Sequence, residues 1–173
     1  MKSILKSIAL VAVSSLVLVS CGKDYIAIPT EKETPNPMRG DLEMMVNDEY
    51  KFVANEKVVL DTTINGSRSI TITARQYSED MSDSSFQIIN LVVANFQGPK
   101  SYPIDWYTTG TAVINVENNV AYNFLAIQGE AESYINFTEA GNGKYVGTFQ
   151  FRARLGNSTE ITSYTAGKFT VYK

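Results

Sequence analysis

The chain has 173 residues, 15 basic and 18 acidic side chains, a net charge of −3 and no histidine. Without histidine, Ser-His-Asp and Cys-His catalysis and histidine-ligated zinc or iron are excluded, and the acid excess disfavours nucleic acid, whose phosphates need a basic patch. A single cysteine precludes an internal disulfide, so a core must hold by packing and hydrogen bonds, for which 44% hydrophobic residues, 10 Tyr and 8 Phe are available.

Lys2 and Lys6 open the chain, and Ile8 to Val19 then runs apolar apart from Ser14 and Ser15. A basic start and an apolar run of about 12 residues match a secretory signal and are too short to span a bilayer. Leu18-Val19-Ser20-Cys21 resembles the bacterial lipobox. That resemblance implies cleavage between Ser20 and Cys21, a diacylglycerol on the Cys21 sulfur and acylation of the new amino group. Two or three acyl chains anchor stably where one would not. Residues 1–20 are therefore expected to be a signal peptide, leaving 153 of the 173 residues as the mature chain, with 13 basic and 18 acidic groups and a net charge of −5. Gly22 follows the cysteine where an aspartate would signal inner-membrane retention, which favours the outer membrane, on its periplasmic or its surface side. Residues 21–40, with Pro29, Pro35 and Pro37 and no packing period, read as an extended tether reaching up to ~70 Å.

Residues 41–173 read as one all-β domain. "RSITITARQ" places Ile70, Ile72 and Ala74 on one face, and "YVGTFQFRARL" places Tyr145, Gly147, Phe149, Phe151, Ala153 and Leu155 on one face. Both have the period of two that marks a half-buried strand. "FQIINLVVANF" (86–96) is apolar on both faces, as for a strand covered on both sides. "AVINVE", "VAYNFLAI", "SYINFTE" and "KFTVY" continue the series. Asn65-Gly66 is a hairpin signal, and Gly141-Asn142-Gly143 and Gly156-Asn157-Ser158 mark further turns. Helix signals are nearly missing. About 8–10 strands in one antiparallel domain imply a β-sandwich, favoured by the doubly apolar strand, with a β-barrel as the alternative.

The order of these pieces resembles a family of uncharacterised Bacteroidetes lipoproteins, in which a V-(N/D)-G-x-x-(F/W)-x-A strand pair precedes a late G-T-F-x-F strand and a closing G-x-F-x-(V/I) strand. Here these read "VNDEYKFVA" (46–54), with Asp48 where the glycine would be, "GTFQF" (147–151) and "GKFTV" (167–171). The resemblance implies fold and location, and no activity.

Four local features bear on chemistry. "SYPIDWYTTG" holds the one tryptophan, and Trp106, Tyr107, Tyr102 and Asp105 could form a sugar site, with rings stacking on the sugar and the carboxylate taking hydroxyl hydrogens. The competing reading is that Trp106 and Tyr107 plug one end of the sandwich. "SEDMSDSS" groups Glu79, Asp80 and Asp83 but matches no calcium-loop spacing, so no metal and no cofactor is expected. Glu130 and Glu132, two apart, would share a strand face and could in principle serve a glycosidase. Asp61-Thr62-Thr63 resembles a Bacteroidetes O-glycosylation signal. No catalytic residue is assigned. The expectation is a lipid-anchored, non-catalytic envelope module for binding or adhesion, with glycan as a ligand class and the membrane as partner through Cys21. The alternatives are an accessory lipoprotein docking to an outer-membrane protein complex and, behind it, a histidine-free glycoside hydrolase.

Overall fold

A computed structural model describes residues 40–77, 85–105 and 108–173. The signal peptide, the Cys21 attachment point and the tether up to residue 39 lie outside these residues. The described chain is all-β and antiparallel, with 72% of it in strands. Among the described residues eleven strands form, rather than eight to ten: β1 (Gly40–Val46), β2 (Tyr50–Val53), β3 (Glu56–Ile64), β4 (Ser67–Tyr77), β5 (Phe86–Val93), β6 (Ser101–Pro103), β7 (Thr109–Glu117), β8 (Val120–Ala126), β9 (Tyr134–Gly141), β10 (Lys144–Leu155) and β11 (Ile161–Tyr172). β2 and β6 have only four and three residues, too short for a hydrophobic period to reveal.

Nine strands follow one curled path, β2-β1-β11-β10-β8-β7-β5-β4-β3. The branch point is β10. It pairs with β9 from Lys144 to Gln150 and with β8 from Ala153 to Leu155, while β11 runs along its other edge; β6 adds to the far side of β9. The curl brings β3 round to β10 and β11. Arg68 binds Asp61 through two parallel hydrogen bonds of 2.9 and 2.8 Å, Tyr145 Oη on β10 donates to the same carboxylate at 2.6 Å, and Lys173 Nζ donates to the Asp61 carbonyl at 3.2 Å.

Period two holds where the sequence shows it. Ile70, Ile72 and Ala74 are buried on β4, and Tyr145, Phe149, Phe151 and Ala153 on β10. A file of seven rings, each 4.6–6.4 Å from the next, runs through the core from Tyr164 via Phe151, Phe149, Phe169, Phe137 and Phe96 to Tyr102. The G-T-F and G-K-F motifs interlock inside it. Gly147 lies opposite Phe169 and Phe149 opposite Gly167, so each glycine leaves room for the ring across the ladder. A Cβ on Gly147 would fall 2.5 Å from the Phe169 ring, and one on Gly167 2.6 Å from the Phe149 ring.

β5 departs from expectation. Ile89, Leu91 and Val93 are buried, but Ile88 and Val92 on the other side are only half-buried, so this strand is fully covered on one face alone. Its doubly apolar composition is therefore not a sign of a second covering layer.

Asparagine supports several turns, because it tolerates positive φ better than other side chains. Asn65-Gly66, Asn118-Asn119 and Asn142-Gly143 have positive φ at both residues and close two-residue hairpins. Asp48, at φ 57°, adopts the backbone that glycine would supply there. Its carboxylate also accepts a 2.7 Å hydrogen bond from Thr165, and Asn47 exchanges two 2.8 Å bonds with the Ser163 backbone, so the β1–β2 turn is tied to β11.

The same stretch of β11 carries a bulge, with Thr165 and Ala166 opposing Gln150. Ala166 is exposed with φ 49°, a conformation strained for alanine, which lacks the polar side chain that lets asparagine adopt it. Ala166→Gly is expected to raise stability by about 0.5 kcal/mol, the relief of strain outweighing the added freedom of the unfolded chain. A urea midpoint at or below that of the native protein would refute the strain assignment.

Candidate functional site

Of the four residues of the expected sugar site, the structure describes Tyr102 and Asp105. Tyr102 is 6% exposed. Its ring stacks on Phe96 at 5.5 Å, and its hydroxyl accepts from Gln97 N at 2.9 Å and donates to Gly98 O at 2.7 Å. Tyr102 thus ends the core file of rings and is not a surface platform, which corrects the sequence expectation. Burial wins because the ring completes an aromatic cluster while the loop backbone satisfies its hydroxyl. The Asp105 carboxylate faces its own loop, accepting from Thr108 N (2.6 Å), Thr108 Oγ1 (2.7 Å) and Thr109 N (3.3 Å). Trp106 and Tyr107 lie outside the described residues, as do Glu79, Asp80, Asp83 and the Ser20–Cys21 cleavage site.

Glu130 and Glu132 do not share a strand face. They stand in the turns between β8 and β9, where Arg152 Nη1 binds Glu130 Oε1 at 3.0 Å. Their spacing of two suggested a strand, but the segment is a loop. The Asp61 carboxylate of the Asp-Thr-Thr signal is held by Arg68 and Tyr145.

The feature that sequence reading missed is the outer face of β3, β4, β5, β7 and β8. Register and alternation align Leu60, Thr71, Val92 and Gly110 in one row across these strands, and Val58, Thr73, Asn90, Ala112 and Leu125 in the next. Val58, Leu60, Ile64 and Leu125 are 57–69% exposed, and Val92 and Ala112 between them are half-buried. Charge enters at the margins, as the Glu56–Arg75 pair at 3.8 Å and as Arg154 opposite Leu125. The signal was present in "VVLDTTI", which is apolar at both parities. Thr71, Thr73 and Asn90 separate Leu125 from the β3 residues, so the exposed apolar group is the edge strand's Val58, Leu60 and Ile64; natural proteins usually blunt such an edge with charge, and exposed apolar residues grouped at an edge mark a contact surface.

No protein-family model, no curated protein and no solved structure matches this chain.

Proposed function

We propose that the chain is a lipid-anchored lipoprotein of the bacterial outer membrane, periplasmic or surface-exposed, whose β-domain is a non-catalytic binding module docking a partner protein. Anchoring rests on Leu18 to Cys21 at the end of an apolar run, with residues 21–40 as the tether and 41–173 as the domain. Docking rests on one observation, the exposed apolar residues Val58, Leu60 and Ile64 on the outer face of the edge strand β3. This face favours the accessory reading over an aromatic sugar platform, since Tyr102 is buried. We read the curled sheet as a sandwich: β2-β1-β11-β10 packs against β8-β7-β5-β4-β3, and β10 belongs to both layers.

Two measurements test this. Labelled palmitate should enter the native chain and be lost from Cys21→Ser, which should also leave the membrane fraction; a labelled Cys21→Ser chain would end the anchor assignment. A photo-crosslinker at position 60 in living cells should yield one discrete protein adduct, absent when Val58→Asp is added. Both residues are exposed, so melting should shift by no more than about 0.5 kcal/mol equivalent. A smear of adducts, or an adduct indifferent to Val58→Asp, would remove the docking face.

A further inference from the structure

The structure carries a second concave surface, on the outer side of β10 and β11 and independent of the docking face. Two hollows lie along it, of 330 and 370 Å³, each the size of a small-ligand site. The first is bounded by Gln150, Arg152, Ser163 and the loop 130–133. The second is bounded by Thr138, Thr148, Lys168 and Thr170. Register aligns them on one face: Thr148, Gln150 and Arg152 alternate outward on β10, with Lys168 across from Thr148 and Ser163 across from Arg152. The trough follows β10 from Val146 to Arg152, about 20 Å.

It exists for a topological reason. β10 leaves β9 after Gln150 and joins β8 at Ala153. The loop between β8 and β9 folds back over this handover, fixed by Gln150 Nε2 to Glu132 O at 2.8 Å and Arg152 to Glu130 at 3.0 Å.

We infer that this trough binds a neutral oligosaccharide. Its cations are already matched, Arg152 with Glu130 and Lys168 with Glu43 at 2.6 Å, and Glu132 and Asp41 add carboxylates. A polyanion would find no net attraction here. What the trough offers instead is hydroxyl, amide and guanidinium groups over the backbone of the paired strands, a polar surface that the hydroxyls of sugar rings can satisfy. An extended peptide gains most from a free sheet edge, and this floor is the face of paired strands.

The Arg152–Glu130 pair is 48% and 25% exposed, so it contributes little to stability and can be altered in the folded protein. The test uses the full chain in a detergent without a sugar headgroup, titrated by calorimetry with hexasaccharides of glucose, xylose, mannose and N-acetylglucosamine. At least one should bind saturably below about 1 mM. Arg152→Ala and Thr148→Val should each weaken it about tenfold with melting unchanged, and Leu60→Glu on the docking face should leave it intact. Thr148→Val keeps side-chain shape and strand propensity, so it reports even if Arg152→Ala proves unstable. Four flat titrations would overturn the inference, as would binding that survives both trough substitutions.

Discussion

Gly147→Ala is expected to lower the unfolding free energy by about 3 kcal/mol, a large loss for one added methyl group. The new Cβ would lie 2.1 Å from the Asn136 carbonyl oxygen as well as 2.5 Å from the Phe169 ring. The ring could swing aside only by breaking its stack on Phe149 and its edge contact with Phe137. The carbonyl belongs to β9 and cannot move without parting the ladder. Domains of this size hold about 5–15 kcal/mol in total, so the urea midpoint should fall steeply with the slope unchanged. Adding Phe169→Leu should restore only part of the loss, because it relieves the ring and not the carbonyl. A midpoint within error of the native one would mean that the interlocked glycine and phenylalanine pairs do not set the close approach of β10 to β11.

The second large effect concerns Asp61. Arg68 holds its carboxyl at about 2, below the usual 3.8, with Tyr145 as a further donor. A carboxyl whose folded value lies below its unfolded value stabilises the fold above the unfolded value, and that contribution disappears as pH falls through the folded value. Stability should therefore decline between about pH 4 and pH 2, by about 1–2 kcal/mol from this group; the side of the pair formed by Arg68, 36% exposed, is screened by solvent. In Asp61→Asn the decline attributable to this group should vanish. The variant should also lose about 2–3 kcal/mol at neutral pH, because the Arg68 guanidinium loses its anion and the buried Tyr145 hydroxyl loses a charged acceptor. Unfolding followed at pH 7, 4 and 2.5 separates the two effects. Equal acid sensitivity in both proteins would show that β3 is not held to β10 through this carboxylate.

Very little of that clasp was legible in the sequence, since Asp61 and Tyr145 stand 84 residues apart and no local pattern links them. The strands that alternate cleanly were legible, because burial on one face imposes a period of two, as in β4 and β10. β5 was misread, and the outer face of β3 passed over, for one shared reason: apolar residues at both parities mean either a second covering layer or exposed apolar side chains, and sequence alone does not separate these. Asn118-Asn119 was passed over as a turn, although asparagine reaches positive φ with little cost. Glu130 and Glu132 were placed on a strand because two carboxylates two apart look alike on a strand and in a loop. Tyr102 was legible as an important aromatic but not as a buried one; its partners Phe96 and Phe137 come from other parts of the chain.

The first strand of this domain pairs with the last: Gly40 opposes Val171 and Val46 opposes Tyr164. A nascent chain therefore cannot seat β1 until β11 exists, and β10 likewise waits for β11 along a whole edge. The sheet cannot close before β11 has been synthesised. For a polypeptide proposed to leave the cytoplasm, that delay keeps the chain threadable through a translocation channel, and completion of the fold becomes an event of the far side of the membrane.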